Sequence, residues 1–126
     1  MKKKVMFFGV FDGYHDGHKF YLDFSKKLGD AVIIVARDAV VKQLKNKVPK
    51  FSELKRVETI RQNYPNAVVV LGDQNQGTYD VIKKNKPDLI CLGYDQHVLK
   101  NDLENKILSG AISKIEIMQI GELFLD

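Results

Sequence analysis

Gly9-Val10-Phe11-Asp12-Gly13-Tyr14-His15-Asp16-Gly17-His18 follows directly on the apolar run Val5-Met6-Phe7-Phe8. Such a run ahead of two glycines reads as a buried strand whose carboxyl end opens into a turn at Gly9 and Gly13. Beyond the turn, Tyr21-Leu22 and Phe24 continue an apolar stripe at helical spacing. A strand, a glycine-bearing turn and a helix amino terminus present unpaired N–H groups and the positive end of a helix dipole, where an anion can sit. His15 and His18 lie three residues apart, so one helical turn points both imidazoles at that anion. The segment reads as a triphosphate site.

Outward from this unit, apolar runs recur at the spacing of alternating strands and helices. Ala31-Val32-Ile33-Ile34-Val35-Ala36 and Ala67-Val68-Val69-Val70-Leu71 are nearly continuous β-branched runs, as in strands covered on both faces. Asp88-Leu89-Ile90-Cys91-Leu92 and Lys114-Ile115-Glu116-Ile117-Met118 complete five candidate strands. Helices are expected over Lys19 to Leu28, Ser52 to Asn63, Tyr79 to Asn85 and Val98 to Ser109. This alternation predicts an α/β, Rossmann-like single domain over residues 1–126, with a five-stranded parallel sheet, right-handed crossovers and helices on both faces. A strand order 3-2-1-4-5 puts a topological switch point beside the first strand, where ligands bind outside the carboxyl ends. The histidine segment sits at that edge.

Composition narrows the function classes. A chain of 126 residues fits one domain, large enough to bury roughly two-thirds of its unfolded surface. Its 44% hydrophobic and 29% charged content is that of a globular protein. No run approaches the ~20 apolar residues that cross a bilayer, so a soluble cytoplasmic protein with no membrane partner is expected. Cys91 is single and apolar-flanked, which reads as a core residue and argues against a closed zinc site; no metal-ligand set is expected. The net charge of +4 is uneven: Lys42 to Arg56 carries +5, and the rest of the chain sums to −1. The basic segment matches no nucleic-acid-binding pattern, and a small triphosphate needs only a few cations, so no nucleic-acid partner is expected.

The Gly-x-Phe-Asp-x-x-His-x-Gly-His pattern of Gly9 to His18 resembles the signature of the nucleotidyltransferase superfamily that includes glycerol-3-phosphate cytidylyltransferase and archaeal-type FAD synthase. The resemblance implies that His15 and His18 bind the phosphates and stabilise charge as the α-phosphate is attacked, with no covalent intermediate. It also implies that Gly9, Val10, Phe11, Asp12 and Gly17 line the nucleotide. A second block, Val35-Ala36-Arg37-Asp38 followed by Val41-Lys42-Gln43-Leu44-Lys45 and Pro49, is similar to archaeal-type FAD synthases. There Asp38 is expected at the nucleotide, Lys42 and Lys45 at the β,γ-phosphates, and Arg56 at a phosphate. A third block, Leu92-Gly93-Tyr94-Asp95-Gln96, looks like the family's Leu-Gly-x-Asp-Gln. By that likeness Gly93 lets backbone approach the base, with Tyr94, Asp95 and Gln96 at the base, the ribose or the water shell of a magnesium ion.

The same resemblance implies an enzyme that transfers a nucleoside monophosphate from ATP or CTP, with Mg2+, to a phosphate-bearing acceptor. FMN adenylyltransfer, as in FAD synthase, leads; cytidylyl transfer to glycerol 3-phosphate is the alternative. After the fifth strand the family carries a Ser/Thr-rich helix start, whereas no serine, threonine or arginine follows Lys114 here. That departure leaves open a degenerate nucleotide-binding protein, or a homodimer in which Leu123-Phe124-Leu125 docks on a second subunit that completes the site.

Overall fold

The computed structural model describes residues 2–120. Its strands are β1 (Lys4–Gly9), β2 (Asp30–Val35), β3 (Val68–Leu71), β4 (Leu89–Leu92) and β5 (Glu116–Gln119). They form one parallel sheet in the order β3-β2-β1-β4-β5. Its helices are α1 (Asp16–Asp23), α2 (Ser25–Leu28), α3 (Asp38–Lys45), α4 (Glu53–Asn63), α5 (Asp80–Asn85) and α6 (His97–Leu108).

Alternate residues of each strand feed opposite faces, so the run of β2 is buried from Ala31 to Val35, while on the edge strand β3 Val69 is buried and Val68 exposed. Val5, Phe7, Ile33, Val35 and Val69 pack with Tyr21 and Leu22 of α1 and with Val57 and Ile60 of α4. On the other face Met6, Val32, Ile34, Ile90 and Leu92 pack with Ile82 of α5 and Leu103 of α6. This is the Rossmann-like, two-faced arrangement that the strand and helix alternation predicts.

Three elements differ from expectation. The first helix begins at Asp16 rather than Lys19, because His15 caps it, and it is interrupted at Phe24. Lys42 and Lys45, outside the helices expected from the sequence, lie on an eight-residue helix, α3, closed by Asn46 in the left-handed conformation (φ 53°). The last strand starts at Glu116 rather than Lys114, since its one neighbour, β4, offers a ladder only from Leu89 onward.

The register creates the switch point. β1 pairs with β2 as far as Gly9 and Val35, but with β4 only as far as Phe7 and Cys91. Beyond those residues β1 and β4 part, and a crevice opens at their carboxyl ends.

Candidate active site

Two side chains splint the crevice where the ladder stops. The amide of Phe8, which has lost its β4 partner, donates to the Tyr21 hydroxyl at 3.0 Å, and that hydroxyl donates to the Cys91 carbonyl. Gln96 donates from Nε2 to the Phe8 carbonyl (2.9 Å), while its Oε1 accepts from the Gly93 amide (2.7 Å). Gln96 is thereby committed to holding the two strand ends at a fixed separation. Gly93 lies under it, where an added Cβ would stand 3.3 Å from the Asp95 carboxylate. Tyr94 and Asp95 are exposed at the rim.

The motif turn is built around Phe11. Its backbone takes φ 55° and its buried ring folds back over Gly9. A Cβ at Gly9 would sit 2.5 Å from Phe11 Cζ, so only glycine fits. Asp12 accepts from the amides of Lys50 and Phe51, both at 2.8 Å. Burial alone would raise the Asp12 carboxyl, but these amide bonds together with the charges of Arg56 and Lys47 hold it below its usual range. Asp12 therefore tethers the basic segment onto the histidine motif.

Both histidines close the amino terminus of α1. His15 is the N-cap residue, and its Nδ1 accepts from the Gly17 amide at 3.0 Å. His18 reaches back, its Nδ1 accepting from the His15 amide at 3.4 Å, so the two imidazoles form a capping box. Gly17 leaves room for this, since a Cβ there would be 2.9 Å from His15 Cε1. With Nδ1 accepting, a neutral ring carries its proton on Nε2, and a ring N–H of His18 also meets the Gly13 backbone. The rings stack at 3.8 Å between centroids, and Phe11 meets His18 edge-on at 5.2 Å. Burial, then the charge of His15, push His18 down to about 4, against smaller opposing effects from Asp95 and the Gly13 backbone. His18 is neutral at pH 7.

Arg56, expected at a phosphate, is 1% exposed in the structure and donates to groups inside the protein. Nε donates to the Phe51 carbonyl, Nη1 to the carbonyls of Val10 (2.7 Å) and Ala36 (2.8 Å), and Nη2 to Asp38 Oδ1 at 2.6 Å. Asp38 and Glu53 also exchange bonds: each carboxylate accepts from the other's backbone amide, at 3.2 and 2.8 Å. Asp38, at the start of α3, thus couples α3 to α4, and Val10 enters through its carbonyl. Lys42 and Lys45 stand exposed on α3, immediately after this clamp.

The structure brings together the His15–His18 pair, Asp12 with the basic segment, and Gln96 with the β1 end. It separates Arg56 from any solvent-filled site. Spacing alone missed Tyr21, Glu53 and Tyr14, whose partners lie 70, 15 and 50 residues away in the chain. The expected docking segment Leu123-Phe124-Leu125 lies outside the described residues.

A family model described as Cytidylyltransferase-like matches residues 6–116, spanning every element from β1 to the start of β5. The chain belongs to the cytidylyltransferase-like family. Among its relatives, the FAD synthase of Pyrococcus horikoshii is 36% identical over 98% of this chain and 83% of its own length. The FAD synthase of Thermoplasma acidophilum is 41% identical over 82% of this chain and 72% of its own length. The crystal structure of the lipopolysaccharide core biosynthesis protein from Thermoplasma volcanium GSS1 superposes with a TM-score of 0.82 at 36% identity, covering 95% of this chain and 97% of that one. The family's α/β frame and a nucleotidyltransferase activity follow for this chain. No helix among the described residues is long and apolar enough to cross a membrane.

Proposed function

We propose that this cytidylyltransferase-like enzyme is an FMN adenylyltransferase, forming FAD from ATP and FMN. The observation that carries the reading is the pair of stacked imidazoles at the start of α1, each with Nδ1 accepting a backbone amide. The similarity to FAD synthases over most of the chain supplies the acceptor and the base.

In the reaction a phosphate oxygen of FMN attacks the α-phosphorus of ATP in line. A new P–O bond forms, the bond from that phosphorus to the bridging oxygen of the β-phosphate breaks, and pyrophosphate leaves with the electron pair. No protein nucleophile is needed, so the chain's contribution is placement and positive charge. The amino terminus of α1 receives the phosphates, and the two Nε2–H groups donate to oxygens on which charge develops. Neutral His18 costs little to desolvate before the triphosphate arrives. Lys42 and Lys45 neutralise the departing pyrophosphate from α3, and Gly93, Tyr94 and Asp95 meet the nucleoside at the rim.

Magnesium fits this donor set as an ion brought in by the triphosphate. Asp12 and Asp38 already hold amides and Arg56, and the described residues hold no cluster of three or more metal-ligating side chains. Phosphate oxygens and water would hold the ion, and the exposed Asp95 would meet its water shell. When bound, it neutralises phosphate charge.

Incubating the protein and Mg2+ with ATP plus FMN, and separately with CTP plus glycerol 3-phosphate, tests the reading by chromatography of the products. FAD and pyrophosphate in equal amounts from the first pair are expected. Product from the second pair alone would make it a cytidylyltransferase, and ATP binding without product from either pair would make it a nucleotide-binding protein.

A further inference from the structure

Tyr14, in the histidine motif, is the start of a hydrogen-bond chain that the proposed chemistry leaves unused. Its hydroxyl lies 2.7 Å from that of Tyr64, the C-cap residue of α4. Tyr64 donates to Asp23 Oδ1 at 2.9 Å, and Asp23 is held in turn by Lys19 at 2.6 Å and Lys26 at 3.8 Å. A phenol has one proton, and that of Tyr64 goes to the carboxylate, so Tyr14 must be the donor between the two tyrosines. The chain therefore runs in one direction, from the motif loop to the end of α1. Burial, together with hydrogen bonds to Tyr14 and Asp23, raises the Tyr64 phenol, so its hydroxyl keeps its proton at any working pH.

This anchored ring is also a neighbour of His18. The Tyr14 and His18 rings are 27° from parallel with centroids 6.3 Å apart, an offset arrangement within the range of aromatic pairing. The Tyr14 ring also meets Tyr64 edge-on at 6.1 Å. With His15 stacked at 3.8 Å and Phe11 edge-on at 5.2 Å, three rings bound the His18 imidazole. Of these, Tyr14 alone is tied to a distant element through its own polar group.

We propose that Tyr14 is a positioning residue: tethered through Tyr64 to Asp23, it fixes the His18 ring so that Nε2–H points at the substrate triphosphate. The inference rests on the reading of His18 as a phosphate donor. The charged or titratable groups facing His18 are His15, on the same helix start, and Asp95, from the loop after β4. Neither belongs to the tyrosine chain, so changes to that chain act on His18 through geometry and water access.

Tyr14→Phe keeps the ring and cuts the tether, Tyr64→Phe cuts the same tether from the far side, and Tyr14→Leu removes the ring. Steady-state FAD synthesis and the NMR titration of the His18 ring would be measured for each, with circular dichroism to confirm folding. Tyr14→Leu should lower kcat about tenfold or more while KM for ATP stays within about twofold, the pattern of lost placement rather than lost binding. The two Phe variants should each fall by a smaller factor, and their combination by no more than either alone, because both break one chain. In Tyr14→Leu, water reaches His18 and its pKa rises toward the ordinary histidine value. Wild-type kcat in all three variants with an unmoved His18 titration would overturn the proposal, as would additive losses in the double variant. His18→Ala is the control. If it retains full turnover, the catalytic reading of His18 fails on its own, and the NMR titration still decides whether Tyr14 positions the ring.

Discussion

His18 carries two duties that pull its protonation the same way. Capping its own helix through Nδ1 needs a neutral ring with its proton on Nε2, and its burial beside His15 disfavours the imidazolium. The unfolded chain titrates this histidine near 6.5, and the folded one at about 4. Between those values the unfolded state binds more protons, so stability rises with pH there. The contribution is complete above about pH 6.5 and is lost as pH falls toward 4. Urea unfolding at a series of pH values should show this decline, and His18→Gln should flatten it; an identical pH slope in the variant would contradict the assignment. The capping box was hidden in the sequence because a His-x-x-His pair reads as a ligand pair, while Ser, Thr, Asp and Asn are the residues usually sought at caps. Here the caps and the donors are opposite nitrogens of the same rings. Tyr14 was equally illegible, since its meaning depends on Tyr64, whose chain position is set by the length of α4 and not by the motif.

At the scale of elements, the decisive contact is the clamp of α4 onto the ends of β1 and β2. Arg56 collects three carbonyls from Val10, Ala36 and Phe51, and its charge is met by Asp38. No spacing rule distinguishes such an arginine from one that faces solvent, because its partners come from three separate loops brought together by the crossover. Removing it strands those buried acceptors and the Asp38 carboxylate, so Arg56→Ala should destabilise the fold by on the order of 3 kcal/mol. Arg56→Lys should recover only part of this, as an ammonium cannot reproduce the planar fork. Chemical denaturation checks both. Were Arg56 a phosphate contact instead, the alanine variant would keep the wild-type midpoint and lose only ATP affinity. The same clamp explains the helix α3, which lay outside the helices expected from the sequence: Asp38 and Glu53 satisfy each other's first amides, so α3 and α4 start as a pair.

For the whole molecule, the parallel sheet and its order were legible because local and global signals agree. The β-branched runs of β2 and β3 have no polar face to expose, which leaves helices on both sides as the packing solution, and the motif at the end of β1 marks the switch point. Boundaries were less legible, since the last strand residue depends on its neighbour's ladder, as at β5. The crevice itself arises from a register difference: β1 runs two residues further beside β2 than beside β4, and Tyr21 and Gln96 bridge the gap. The account places the chemistry there, on the paired imidazoles. The measurement that tests it most directly is the rate of FAD formation from ATP, FMN and Mg2+ by the wild-type protein, His15→Ala and His18→Ala, each verified as folded. The wild type should form FAD with matching pyrophosphate, and His18→Ala should lose about a hundredfold or more in kcat, the scale of one preorganised charge-stabilising donor. Wild-type rates in both histidine variants would contradict the site.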